Sequence, residues 1–265
     1  MIYILLPAYN EAENIRALLE DINGEAPKWF PEGTVSPLPV QVVVVNDGSS
    51  DATGAEVEAF TGRHIEVVQF IHEQNRGLAA ALNTGIGHIC RTAKDSDMVI
   101  TMDADRTHPP LYIHDLLNQL RAGFDIVVAS RYAPGGHEYG VSTPRLILSR
   151  GARICYKMFF PQIPLHDFSC GFRGFKAQVL RDTCEQWGNL LFETQGFACT
   201  GELMLKMIPN TTSDKVTEIP FDLHYERKGG TSKMPALITI VNTLKLLFQA
   251  RKWQRKGEDA RGSSG

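Results

Sequence analysis

Two aspartates, Asp103 and Asp105, flank a single alanine at the end of the apolar run 98–102 and are followed closely by Pro109-Pro110. In an extended segment residues i and i+2 point to one side, so two such carboxylates can share a hard divalent cation that also takes phosphate oxygens. Mg²⁺ or Mn²⁺ suits these ligands. An isolated Asp-x-Asp is more often a turn or a helix cap, but a position at the mouth of an apolar strand favours the metal reading. Two further segments carry similar polar groups: Pro7-Ala8-Tyr9-Asn10-Glu11 and Asn46-Asp47-Gly48-Ser49-Ser50-Asp51. Asp47 is placed to accept hydrogen bonds from a base or ribose, whereas Asp51 or Ser50 reads as a helix cap. Glu11 either joins that rim or favours a first helical turn through the macrodipole.

The elements that must position these groups are short apolar blocks at residues 2–6, 40–45, 65–71, 98–102 and 126–129. Helical periodicity at 11–22, 52–60, 78–91 and 111–122 separates most of them, which predicts an α/β fold: a Rossmann-like, mainly parallel sheet flanked by helices. Ligands of such sheets lie beyond the carboxyl ends of the strands, where the three polar segments fall. No Gly-x-Gly-x-x-Gly follows a strand; Gly85-Ile86-Gly87 lacks the third glycine and lies in a helical run, which argues against a dehydrogenase. A nucleotidyltransferase would carry a glycine-rich, basic loop after the first strand, where Pro7 to Glu11 stand instead. Pro27, Pro31, Pro37 and Pro39 mark a surface excursion.

The chain has 265 residues, 43% hydrophobic and 22% charged, with a net charge of -3. This is ordinary for a globular protein and lacks the basic balance that nucleic-acid binding requires. Its five cysteines are odd in number and without a Cys-x-x-Cys pair, so neither a disulfide framework nor a zinc site is expected, and a reducing cytoplasm fits. The N-terminus lacks the basic start of a signal peptide, and no run reaches the roughly 18 apolar residues of a membrane-spanning helix. Membrane contact is therefore expected to be peripheral, at a cytoplasmic face. Leu237, Ile240, Val241, Leu244, Leu247 and Phe248 follow the helical period, with Arg251, Lys252, Arg255 and Lys256 behind them. That pattern fits an interfacial helix, or one that packs on the domain. Arg150, Arg153 and Lys157 form a second basic stripe before Met158-Phe159-Phe160. Cationic stripes beside apolar residues favour an anionic membrane over nucleic acid.

Pro7 to Glu11, Asn46 to Asp51, Asn75-Arg76-Gly77 with Asn83 and Gly85, and Asp103 to Asp105 resemble, in order and spacing, the inverting family 2 glycosyltransferases of GT-A fold. Within that family, Asp103 to Pro110, Ser130-Arg131-Tyr132, the stretch 145–152, Ser169 to Arg173 and Gly229-Gly230-Thr231-Ser232-Lys233 are similar to the dolichyl- and polyprenyl-phosphate mannose or glucose synthases. The resemblance covers a catalytic domain over 1–234; beyond it, periodicity and composition predict an amphipathic, membrane-associated helix over 235–256 and a disordered tail over 257–265. It implies that Pro7, Ala8, Tyr9, Glu11, Asp47 and Ala104 line the nucleoside side of a nucleotide-sugar pocket, and that Asp103 and Asp105 hold the metal and diphosphate. Thr107 stands where the family often has a glutamine as third metal-side ligand; its hydroxyl is a weaker donor of oxygen, and water can substitute. Arg131, Arg145, Ser149 and Arg227 fall where phosphates are gripped, with Lys233 as a further contact. Asp105, Arg131, Arg145 and Arg227 are the catalytic candidates.

Arg145 and Ser149, spaced i, i+4 after Pro144, share one helix face, so a guanidinium and a hydroxyl can meet one phosphate, although a solvated face would show the same spacing. A phosphate monoester acceptor is already largely a dianion at neutral pH and needs steering rather than deprotonation. A sugar hydroxyl acceptor would instead need a carboxylate base, for which Asp167 and Glu202 are candidates. The expected partners are a nucleotide-sugar donor, a polyprenyl or dolichyl phosphate, a membrane surface and a membrane protein. The alternatives are a relative with a non-lipid hydroxyl acceptor and a non-catalytic nucleotide-sugar binder.

Overall fold

A strand buried on both faces reads as an unbroken apolar run, and Ile2–Ala8 (β1) is buried at every position but Pro7. The computed structural model describes residues 1–31, 37–196, 198–227, 242–251 and 253, without the side chains of Pro144, Arg145 and Arg227. Around β1 it sets Val40–Asn46 (β2), Glu66–Ile71 (β3), Met98–Thr101 (β4), Ile126–Ser130 (β5), Arg173–Lys176 (β7) and Val216–Pro220 (β8), in the order β3-β2-β1-β4-β7-β5-β8. All neighbours are parallel except β7, which runs antiparallel to β4 and β5. A separate ribbon pairs His137–Tyr139 (β6) with Asp222–His224 (β9).

The helices are Ile15–Glu25 (α1), Thr53–Glu58 (α2), Leu78–Thr92 (α3), Ile113–Arg121 (α4), Thr143–Phe159 (α5), Ala177–Trp187 (α6) and Ala198–Met207 (α7). Their apolar stripes meet the sheet. In α3 the buried set is Ala81, Leu82, Gly85, Ile86 and Ile89, and a Cβ at Gly85 would come within 2.1 Å of Leu5 Cδ1, so a glycine lets this helix press onto β1. α4 packs on β5 and β7, where Gly174 leaves room for Leu120. Successive strands β1, β2 and β3 step one way across the sheet and β4 steps back to the other side of β1. The direction therefore reverses between β1 and β4, the switch point at which open α/β sheets take their ligands.

The first helix begins at Ile15, later than its periodicity predicts, because the preceding amides are drawn sideways. Asn10, Glu11 and Ala12 donate to Ser49 Oγ, Thr53 Oγ1 and Asp51 Oδ2, which sews the loop after β1 to the loop after β2.

Residues 242–251 are helical and dock on the domain through Leu246, Leu247 and Ala250, while Leu244 and Phe248 are exposed. Of the expected stripe, Leu244, Leu247 and Phe248 are among the described residues, and of these Leu247 is buried. Leu237, Ile240, Val241, Lys252, Arg255 and Lys256 lie outside the described residues. Beyond this helix Trp253 meets Trp187 edge-on at 5.2 Å, and Lys206 Nζ sits 4.6 and 4.5 Å from the two ring centroids. Lys206 also pairs with Glu202 at 2.7 Å, with both side chains fully buried. Among the described residues no helix is long and apolar enough to cross a membrane.

Removing one partner of such a pair strands the other charge. Lys206→Met is expected to lower stability by about 3–5 kcal/mol, read as a fall in the urea midpoint at unchanged slope; a loss below about 1 kcal/mol would show that Glu202 does not need the ammonium.

Candidate active site

At the switch point Pro7, from the end of β1, and Asp103, just past β4, line one crevice with Leu78, Leu82, Arg173 and Thr200. The Asp103 side chain is 35% exposed and its backbone amide donates to His108 Nδ1 at 3.1 Å. His108 is itself buried, stacked on Phe172 with centroids 5.2 Å apart, and its Nε2 lies 3.9 Å from Asp103 Oδ2. Gly171 leaves space for the same carboxylate, since a Cβ there would sit 3.1 Å from Asp103 Oδ1.

The segment holding the aspartates is not extended. The strand ends at Thr101, the chain bends through 104–106, and Arg106 takes a left-handed φ of 62°. The i, i+2 alternation expected of a strand therefore does not apply here. Asp105 is buried and accepts the Thr107 amide at 3.2 Å and the Thr107 hydroxyl at 2.6 Å. Thr107 thus serves Asp105 as a donor in this conformation. Ala104 is buried between them. Among the described residues no cluster of three or more His, Cys, Asp or Glu side chains forms a ready-made metal cage. Asp103 on the crevice, with Asp105 two residues on, nevertheless fits Mg²⁺ or Mn²⁺, because such ions are commonly bound through one or two carboxylates with the remaining ligands from substrate phosphates and water.

Asp47 shapes the opposite wall. It is 3% exposed and accepts the Arg76 and Gly77 amides at 3.0 and 2.7 Å and meets His72 Nδ1 at 2.6 Å, while His72 Nε2 reaches Thr84 Oγ1 at 2.9 Å. Its carboxylate therefore ties β2 to the start of α3, and a base or ribose would have to use the remaining lone pairs. Gly48 sits so close to this turn that a Cβ would come 2.2 Å from the Gln74 carbonyl carbon. The N-cap of α2 is Ala52 rather than the expected Asp51 or Ser50; Asp51, one residue earlier, accepts the Thr53 amide and hydroxyl. Burial raises its carboxyl, but those bonds and the one from Ala12 outweigh it and hold the group below the usual carboxylate value. Tyr9 and Glu11 are half-buried in the loop after β1, whose Ala8 is buried, and Glu11 Oε2 accepts Asn14 Nδ2 at 2.8 Å.

On the other side of β4, Arg131 is gripped by Asp167 through two bonds, Nε to Oδ2 at 2.7 Å and Nη2 to Oδ1 at 2.9 Å. It also donates to Ser169 Oγ and Glu138. Burial alone would lower the guanidinium pKa, yet the Asp167 carboxylate keeps it well above its ordinary value. Burial likewise raises Asp167, and Arg131 overrides it to leave the carboxyl below its usual range. Tyr132 links this pair to α5: its hydroxyl bonds Ser149 Oγ, and the Arg131 and Arg153 guanidiniums lie 5.2 and 4.9 Å from its ring centroid. The side chains of Arg145 and Arg227, and all of Lys233, lie outside the described residues.

The two carboxylates considered as bases are corrected by this geometry. Asp167 is bound to a permanent cation. Glu202 accepts the Glu193 and Thr194 amides, the Thr194 hydroxyl and Lys206, in full burial. Among the described residues both side chains are fully buried and held by internal donors. Residues to which the sequence assigned no role are His72, whose signal was a histidine close after a strand end, and His108 and Tyr132, which stood only as members of the family-like motifs. Arg173 is a fourth: it is 1% exposed, donates to the Phe168 and Thr200 carbonyls, and has no hydrogen bond from Nε among the described residues.

A mainly parallel sheet with Asp103 in a crevice at its switch point is an α/β architecture that takes ligands at this edge. Residues 3–184 match the family Glycosyl transferase family 2, and the chain belongs to it: it is a glycosyltransferase. It is 29% identical over 262 residues to the polyprenol monophosphomannose synthase of Mycolicibacterium smegmatis, covering 98% of this chain and 89% of that one. It is 27% identical over 253 residues to the dolichol-phosphate mannosyltransferase of Pyrococcus furiosus, with 95% of this chain matched to 64% of the longer protein. Among solved structures, glucosyl-3-phosphoglycerate synthase from Mycobacterium tuberculosis, in complex with Mn²⁺, UDP and glucosyl-3-phosphoglycerate, superposes with a TM-score of 0.62 at 18% identity, over 95% of this chain and 79% of that one. Mannosyl-3-phosphoglycerate synthase from Rubrobacter xylanophilus gives 0.62 at 15%, over 98% and 75%. These neighbours agree with the expected GT-A-type fold.

Because the folded-state pKa of Asp167 is depressed, its contribution is complete above the unfolded carboxyl value near pH 4 and is lost as pH falls through the folded value. Asp167→Asn is expected to be less stable than wild type at pH 7, with the gap narrowing below about pH 4 in urea titrations at each pH. A gap that stays constant with pH would show that the pair's ionisation contributes nothing.

Proposed function

We propose that this glycosyltransferase moves a hexose, from GDP-mannose or UDP-glucose, to a polyprenyl or dolichyl phosphate at a membrane surface, inverting the anomeric configuration in a single displacement. The observation that carries the acceptor half is the fate of the two candidate bases. Asp167 and Glu202 are held by Arg131 and Lys206, whereas a phosphate acceptor with a second pKa near 6 needs no base. Similarity to a polyprenol monophosphomannose synthase along nearly the whole chain supports the same reading.

In this scheme Pro7, Ala8, Tyr9, Glu11, Asp47 and Ala104 shape the nucleoside side. Asp103 and Asp105 would hold Mg²⁺ or Mn²⁺, which when bound neutralises charge on the departing nucleoside diphosphate. Arg131, oriented by Asp167, and Ser149, bonded to Tyr132, are assigned to the acceptor phosphate, as the resemblance also assigns Arg145, Arg227 and Lys233. Together they steer that phosphate in line with the anomeric carbon, so that proximity and charge complementarity lower the barrier.

Membrane contact is supported by α5. Ile147, Ile154 and Met158 are exposed by 66, 60 and 73%, and Arg150, Arg153 and Lys157 lie along the same helix, in a groove with Ile154 and Met158. Phe159 at its end meets the exposed Phe248 at 5.2 Å. Apolar side chains edged by cations suit an anionic headgroup layer, and Ser149 on this helix leads directly to Tyr132 and Arg131.

The direct test is a panel of nucleotide sugars incubated with purified protein, polyprenyl phosphate and Mn²⁺, scored for glycolipid. Asp105→Ala and chelation of the cation are each expected to abolish transfer, and unchanged turnover in either would remove the metal from the scheme. The pair Ile154→Asp and Met158→Asp is expected to cut flotation with anionic vesicles while leaving nucleotide affinity intact; undiminished flotation would move membrane contact to another face.

A further inference from the structure

Cys90 in the last turns of α3 and Cys184 on α6 bring their Sγ atoms to 3.1 Å, although 94 residues separate them. Both side chains are half-buried, so small oxidants can reach them, whereas Cys170 and Cys199 are buried. A disulfide has an S–S length of about 2.05 Å, so closure of roughly 1 Å between two packed helices completes the bond.

We propose that Cys90 and Cys184 are a redox modification site that forms a reversible disulfide when the protein meets a hydroperoxide. The surroundings divide the two roles. The hydrogen bond from Cys184 holds the Cys90 thiol below its ordinary value, against burial, and Arg181 and Arg91 act in the same direction while Glu185 opposes them. The same bond, with burial, pushes Cys184 up. In this proposal Cys90, the member of the pair with Arg181 and Arg91 beside it, is the attacking thiolate. Its sulfur takes one oxygen from the peroxide, forming a sulfenic acid and releasing a hydroxide that is protonated to water. Cys184 sulfur then attacks Cys90 sulfur; the S–S bond forms, the S–O bond breaks, and the departing hydroxide takes the Cys184 proton to leave as a second water. Two thiols lose two electrons to the peroxide, and a dithiol returns them.

The cross-link joins the two halves of the crevice from behind. α3 contributes Leu78 and Leu82 to the crevice at its first turns, and Cys90 lies roughly 18 Å further along the axis at 1.5 Å per residue. α6 directly follows β7, whose Arg173 lines the opposite wall. The bond closes a long loop without entering the site, so its main effect is on stability, by limiting the unfolded chain.

Full-length protein treated with hydrogen peroxide and then alkylated is expected to lose two hydrogen atoms in mass, to retain two fewer reactive thiols, and to give one cross-linked peptide pair containing Cys90 and Cys184. Its melting temperature is expected to rise by on the order of 5–10 °C, and dithiothreitol should reverse every change. Cys90→Ser should abolish the cross-link, and Cys184→Ser should leave a sulfenic acid on Cys90 that a dimedone probe traps. Oxygen adducts on wild-type Cys90 without a cross-link, a cross-link to Cys155 instead, or an unraised melting temperature would each overturn the proposal.

Discussion

A carboxylate withdrawn from water survives as an anion only where amides or a cation replace its hydration. The architecture on both sides of the crevice depends on that requirement. Asp47 draws in the Arg76 and Gly77 amides and His72, which fixes the turn leading into α3. Asp167 draws in Arg131 and the Ser169 and Cys170 amides, which fixes the loop before β7. Each buried acid thus converts a flexible connection into a shaped wall. Asp103 is less enclosed than either, with its side chain 35% exposed.

This division explains how a site rich in acids can receive a pyrophosphate. Two of its anions are screened by internal donors, and Asp105 is oriented by Thr107, so the repulsion a diphosphate would meet is concentrated at the aspartates that can share a cation with it. On the acceptor side the logic is the reverse. A guanidinium that is doubly bonded to Asp167 has a fixed direction but a reduced net charge, so a phosphate approaching Arg131 meets an oriented donor, and the attraction must be completed by the other cations of that wall. Through Tyr132 and Ser149 this wall is continuous with the exposed apolar stripe of α5, which is what the proposed lipid acceptor would use.

The first half of the fold was legible because its strands are buried on both faces and therefore apolar throughout, with amphipathic helices between them. From β7 onward the signals fade for physical reasons. β7 is four residues, Arg-Gly-Phe-Lys, whose arginine is stabilised by two carbonyls and whose glycine accommodates α4. Neither choice resembles a strand in isolation. α7 is buried along its whole length, so no polar face marks its period. Residues such as Asp47 and Asp103 to Asp105 could be placed on the rim from their strand ends, but not their hydrogen bonds, which come from loops remote in sequence. Glu202 looked like a base because the sequence shows it and Lys206 four residues on but not that both are buried together in the core.

The claim on which the account rests is that Asp103 and a divalent cation together receive the nucleotide's diphosphate. Isothermal titration of GDP and UDP into wild type and Asp103→Asn, with and without Mn²⁺, addresses it without requiring an acceptor. The account predicts that Mn²⁺ strengthens binding of the preferred nucleotide to wild type by at least about tenfold, or 1.4 kcal/mol, and that this gain disappears in Asp103→Asn. An equal gain in both proteins would contradict it.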